Sequence, residues 1–146
     1  MADWNFLGGR QQVVEDPGVF SKIQVLLATS RFEEAEAMIR SELSRDQSDP
    51  YLYILLARVL ADQRKFQAAR EAVGEAIRLG PDEADAYYTL AAICREQGRL
   101  KEGLKEIAQA ISLDPEDAVN HSLEAGLFLD QSKWEECLKS ANRGLE

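Results

Sequence analysis

A 34-residue repeat constrains this chain more than any other feature. The stretch 84–117, ADAYYTLAAICREQGRLKEGLKEIAQAISLDPED, lies without a gap over 50–83. The register runs on from Ala118 to the end of the sequence and back to about residue 16. Self-similarity on this scale belongs to arrays. A unit this short cannot enclose its own apolar side chains, so neighbouring units have to stack and share one core.

Inside each unit the apolar spacing is helical. It predicts eight helices, near 17–29, 32–46, 50–63, 66–79, 84–97, 100–113, 118–131 and 134–145. Polar breaks at Thr29-Ser30, Arg64-Lys65, Gly98-Arg99 and Ser132-Lys133 divide them into pairs. Asp16-Pro17, Asp49-Pro50 and Asp114-Pro115 each read as a capping carboxylate followed by a proline in the first turn, where a missing N–H costs nothing. In register, Leu26, Leu60, Cys94 and Phe128 form one apolar column, and Val25, Val59, Ile93 and Leu127 its neighbour. Phe32, Phe66, Leu100 and Trp134 open the second helices, with Ile39, Val73, Ile107 and Ala141 two turns on. Small residues fall where helices would cross closely: Ala57, Ala91 and Ala125 in first helices, and Ala35, Ala69, Gly103 and Cys137 in second helices.

These residues resemble the tetratricopeptide repeat, whose period is 34 and whose pattern runs aromatic-x₂-Leu-Gly-x₂-Tyr, Ala-x₃-Phe, Pro. The third copy reads Tyr87-x₂-Leu90-Ala91-x₂-Cys94, Gly103-x₃-Ile107, Pro115, and the second Tyr53-x₂-Leu56-Ala57-x₂-Leu60, Ala69-x₃-Val73, Pro81. The resemblance implies an all-α fold, a right-handed α-α superhelix (a solenoid) of about four antiparallel helix-turn-helix repeats. It divides the chain into an N-terminal arm, 1–15, and a repeat domain, 16–146, with copies at 16–49, 50–83, 84–117 and 118–146. Trp4 and Phe6 in the arm are candidates to dock on the folded part or on a second molecule. The end copies depart from the pattern: Lys22 and Glu42 in the first, His121 and Glu124 in the fourth. The fourth also stops short of its proline with Leu138 and Leu145 uncovered, so the chain reads as the N-terminal piece of a longer protein.

Charge narrows the partners. With 26 acidic against 17 basic residues the formal net charge is −9, which repels phosphate backbones and anionic lipid heads. Nucleic acid is therefore not an expected partner, and a pentatricopeptide-like RNA reader is disfavoured further by the 34-residue register. No apolar run is long enough to span a bilayer. The two cysteines, Cys94 and Cys137, make no disulfide framework and suit a reducing compartment, so the expected location is cytoplasmic. No nucleophile is spaced to use the single His121, and there is no CxxC, HExxH or phosphate loop. The chain is read as a non-enzyme without cofactor or metal.

In the family, the first helices line a groove that holds a peptide segment or helix of a partner protein. Carried over, the resemblance places Tyr51, Ile54, Leu55 and Arg58 of the second copy in that groove. Tyr88, Thr89 and Arg95 follow from the third copy and Leu123 from the fourth, with Asp62, Glu96 and Asp130 in the same lining. Tyr51, Ile54, Leu55 and Tyr88 stand outside the packing columns and read as apolar anchors, while Arg58 and Arg95 read as cations for a partner carboxylate. The clamp that holds chaperone C-terminal tails needs Lys, Asn and Arg in columns that carry Phe20, Gln24, Leu55, Asp85 and Thr89 in copies one to three and Ile54, Arg58, Thr89, Val119 and Leu123 in copies two to four, so such tails are disfavoured. A second reading is self-association, or continuation of the array, through the open C-terminal end.

Overall fold

The computed structural model describes residues 18–144, without the side chains of residues 136–138, 140, 141, 143 and 144. The expected arm with Trp4 and Phe6, the Asp16-Pro17 cap, and the side chains of Cys137, Leu138, Ala141 and Leu145 lie outside the described residues. The fold is all-α, a helical-repeat solenoid. Among the described residues there are seven helices and no strand: α1 Gly18–Ala28, α2 Phe32–Arg45, α3 Pro50–Asp62, α4 Phe66–Leu79, α5 Ala84–Glu96, α6 Leu100–Leu113 and α7 Ala118–Gly144.

Three turns close the hairpins α1–α2, α3–α4 and α5–α6, and they are copies of one another. Ser30, Arg64 and Gly98 adopt φ of 58°, 61° and 73°. The next residues, Arg31, Lys65 and Arg99, each return a backbone N–H to Leu26, Leu60 and Cys94, at 2.8 Å in all three cases. This is the Schellman arrangement, in which one left-handed residue satisfies the last carbonyls of a helix. Only the third turn has glycine for it. Two of the three therefore carry the left-handed strain of an L side chain, about 1–2 kcal/mol. Burial of the second helix offsets it: Ala35 and Ile39 of α2, Ala69 and Val73 of α4, and Gly103 and Ile107 of α6 are all buried.

One buried cluster joins Ile23, Ile39, Leu55, Val59, Leu60, Val73 and Ile93 across the first three copies, and a second joins Ala91, Ile107, Leu123 and Leu127 between the third and the fourth. Gly103 shows why small residues sit at the crossings. A Cβ there would lie 2.9 Å from Leu127 Cδ2 and 3.3 Å from the Ala91 carbonyl oxygen. Ion pairs run across the seams between copies. Glu36 of α2 meets Lys65 Nζ at 3.5 Å, and Arg70 of α4, one repeat on from Glu36, meets Glu102 at 3.0 Å.

Two sequence expectations are corrected. The polar break at Ser132-Lys133 is absent, and α7 runs unbroken through it for 27 residues. The fourth copy is therefore not a hairpin, and its turn site is helix. Ser132 offers no glycine, and no described element packs on the far side of a returning helix to offset a left-handed serine. Asp114-Pro115 does not open a helix either. Asp114 ends α6, and the cap of α7 is Asp117, whose Oδ1 accepts from the Val119 N–H at 2.9 Å. The cap expected at Asp49-Pro50 is present, with Asp49 Oδ1 accepting from the Tyr51 N–H at 2.9 Å.

The ends of the columns diverge from the expected burial. Val25, Phe128 and Trp134 are 61%, 54% and 59% exposed, whereas Val59, Leu60, Ile93 and Leu127 are buried. Val25 lines an apolar cleft of about 750 Å³ on the outer face of the first hairpin with Leu26, Ala37 and Met38. Among the described residues no helix is long and apolar enough to cross a membrane.

Candidate partner-binding groove

The first helices of successive copies touch along one wall. The rings of Phe20 on α1 and Tyr51 on α3 lie 5.6 Å apart in a tilted pair, and Gln24 Nε2 donates to Tyr51 Oη at 3.4 Å. The next step along the wall is Tyr88 on α5, half-buried between two clefts. One, of about 300 Å³, is walled by Arg58, Asp62, Thr89 and Glu96. The other, of about 470 Å³, is walled by Arg95, Val119, Ser122 and Leu123. One aromatic side chain thus serves both, its ring offering apolar area and its hydroxyl a polar tip.

The eight residues expected to form the groove fall into two sets. Tyr51, Arg58 and Arg95 are exposed and Tyr88 is half-buried. Ile54, Leu55, Thr89 and Leu123 are buried at 2%, 0%, 4% and 8% exposure. Ile54 and Leu55 therefore do not stand outside the packing columns. Leu55 joins the main core and Ile54 packs on Ala76 and Ala86, so both build the wall from behind. Thr89 spends its hydroxyl on the Asp85 carbonyl oxygen at 2.7 Å. Leu123 bridges to the third copy's core while its edge reaches the larger cleft.

The cations are also placed differently from expectation. Arg95 is not a waiting cation: its Nε donates to Asp130 Oδ2 at 2.6 Å. Gly126 makes this possible, since a Cβ there would sit 2.7 Å from Arg95 Nη1. The hydrogen bond from Arg95 draws the Asp130 carboxyl below its ordinary value. Arg58 makes no ion pair with a described residue. It lies one turn from Asp62, whose carboxyl is pushed up by burial while the Arg58 charge pulls the other way. Sequence reasoning placed both acids in the lining but missed the Arg95–Asp130 tie. The only signal for it was a basic and an acidic side chain separated by one repeat length plus one.

His121 is exposed, with Nε2 2.7 Å from the Pro115 carbonyl oxygen. Tyr87, its equivalent one copy earlier, donates from its hydroxyl to the Pro81 carbonyl at 3.2 Å. The histidine therefore takes over a repeat-to-loop tie. Cys94 is buried, its Sγ 3.3 Å from Arg70 Nη1, and burial pushes its thiol up, away from nucleophilic use.

Residues 54–118 match the family model described as tetratricopeptide repeat. No curated protein matches the chain in sequence. Several solved structures share the fold. The first TPR domain of the human RPAP3 protein is 18% identical, with a TM-score of 0.74 over 81% of this chain and 93% of that one. The second TPR domain of human RPAP3, in complex with the HSP70 peptide SGPTIEEVD, is 15% identical, with a TM-score of 0.66 over 75% and 91%. The Yersinia enterocolitica type III secretion chaperone SycD, in complex with a peptide of the translocator YopD, is 13% identical, with a TM-score of 0.67 over 77% and 92%.

Proposed function

The chain carries tetratricopeptide repeats, matched over residues 54–118, and from that premise we propose that it is a non-enzymatic interaction module. It holds a peptide segment or helix of a partner protein along the wall formed by α1, α3, α5 and the first half of α7. Two structures of the same fold, human RPAP3 and SycD, are recorded with bound peptides. The observation that carries the reading is Tyr88, whose side chain lines two adjoining clefts. Tyr51 and Phe20 extend the same aromatic line through the second and first copies. Ile54, Leu55, Thr89 and Leu123 support the wall, and Arg58 supplies the cation for a partner's acidic group.

The occupant is a segment with apolar side chains spaced to enter both clefts, rather than a free C-terminal carboxylate. The carboxylate-holding columns carry Phe20, Gln24, Leu55, Asp85 and Thr89 in copies one to three, and Ile54, Arg58, Thr89, Val119 and Leu123 in copies two to four, where Arg58 is the single cation. The net charge of −9 argues against nucleic acid as the occupant. Pairing of two cysteines is not built into this reading, which places the protein in the reducing cytoplasm.

The test is selection of peptides from a random display library on the full chain, followed by titration of the selected peptides. Tyr88→Ala should weaken them by about thirtyfold or more, the loss of a central aromatic anchor. Lys101→Ala, outside this wall, should leave them unchanged. Selected peptides that bind Tyr88→Ala as tightly as the parent would refute the groove.

A further inference from the structure

In the three hairpins one face of the first helix is covered by the copy's own second helix. In the fourth copy the corresponding face of α7 is bare. Phe128 stands in the column of Leu60 and Cys94, which are 2% and 1% exposed, yet is itself 54% exposed. Ala125 is exposed where Ala57 and Ala91 are fully buried. The sequence that would cover this face exists. From Trp134 it keeps the second-helix spacing, Trp134-x₂-Cys137-x₃-Ala141 against Phe66-x₂-Ala69-x₃-Val73. Because α7 runs straight through Ser132, that sequence is carried away from its own first half along a rod about 40 Å long. Every described side chain from Ser132 onward is exposed.

We infer that two copies of this chain exchange the second halves of α7, so that residues 134–144 of each cover the Ala125–Phe128 face of the other. The complement that fits the bare face is written into the same chain and held out of its own reach. Two straight helices laid antiparallel about a twofold near Ser132 satisfy both copies at once, the isologous contact that closes a dimer. Fold-back within one copy would require a non-glycine residue in the left-handed turn, with nothing described beyond it to pack against. Exchange keeps the helix unbroken. The surface involved is separate from the Tyr88 wall, so loss of the dimer and loss of peptide binding are distinguishable.

Sedimentation of the full chain over a concentration series tests this, with far-UV circular dichroism to confirm that each variant folds. The parent should pass from one to two chain masses as concentration rises. Phe128→Asp, at an exposed site, should fold and weaken the dimer by about tenfold or more. Ser132→Gly frees the left-handed turn and should also shift the equilibrium to monomer, whereas Ser132→Ala, which keeps the helix, should not. A parent that stays monomeric at every concentration overturns the inference. So does a dimer indifferent to Phe128→Asp, or one that Ser132→Gly and Ser132→Ala affect equally.

Discussion

The first and fourth copies are the outermost of those described, and both depart from the repeat pattern, yet only the first closes into a hairpin. They share a serine at the turn, Ser30 and Ser132, and each has a charged residue, Lys22 or Glu124, where the inner copies have leucine. Ser30 nevertheless adopts a φ of 58° and turns the chain, whereas Ser132 continues a helix. The difference lies beyond the copy. α2 packs on both α1 and α3, and its buried Ile39 and Ala35 belong to a cluster that reaches Ile93. Residues 134–144 have no described neighbour on their far side. A left-handed serine is thus a strain that two-sided burial can offset and one-sided burial does not, whatever the turn residues favour locally.

The widest contrast is between Leu60 and Phe128, members of one column. Leu60→Ala should cost roughly 2–5 kcal/mol, as buried truncations do. Phe128→Ala, measured by chemical denaturation at high dilution, should stay within about 0.5 kcal/mol. Equal losses would mean that the fourth copy is closed after all. Next comes Gly103→Val, which forces a Cβ against Leu127 and the Ala91 carbonyl. Overpacking of this kind costs about 1–3 kcal/mol, and the change should loosen α7 from the third copy. Loss of hydrogen-exchange protection confined to α7 would show it.

A subtler test changes sign. Arg64→Gly relieves a φ of 61° and should raise stability by up to about 1 kcal/mol, whereas Ser132→Gly inside α7 should lower helicity at a cost of about 1 kcal/mol. Thermal melts that moved in the same direction would erase the distinction between turn and helix. The smallest effect concerns Asp130. Its carboxyl is drawn below the ordinary range by Arg95, so its contribution is present above that range and is lost as pH falls through the lowered value. Both partners are substantially exposed, which holds the term to a few tenths of a kcal/mol. Asp130→Asn should remove that part of the acid dependence and leave stability at neutral pH nearly unchanged.

Much of the fold was legible because a period multiplies weak signals. Ala35, Ala69 and Gly103 each suggest little alone, but together in register they locate the close crossings that the structure shows. The column rule failed where its premise failed, at Val25, Phe128 and Trp134, because a column states which residues are equivalent and not whether a neighbour is present to bury them. The groove was legible only as a wall. Periodicity cannot tell a residue facing the groove from one turned half a helical step inward, so Ile54 and Leu55 were placed on the surface they support. Arg95–Asp130 needed the helix-to-helix distance, which spacing alone does not supply.

The seams between copies carry one more consequence. Glu36 faces Lys65 across the first seam, while its equivalent Arg70 faces Glu102 across the second, three residues past Arg99, the equivalent of Lys65. Excising residues 50–83 would preserve the period and set Arg99 in the place of Lys65, so Glu36 would again have a cation opposite it. At this seam the first copy is therefore charge-matched to the third as well as to the second, and an array shortened by one unit should still join there.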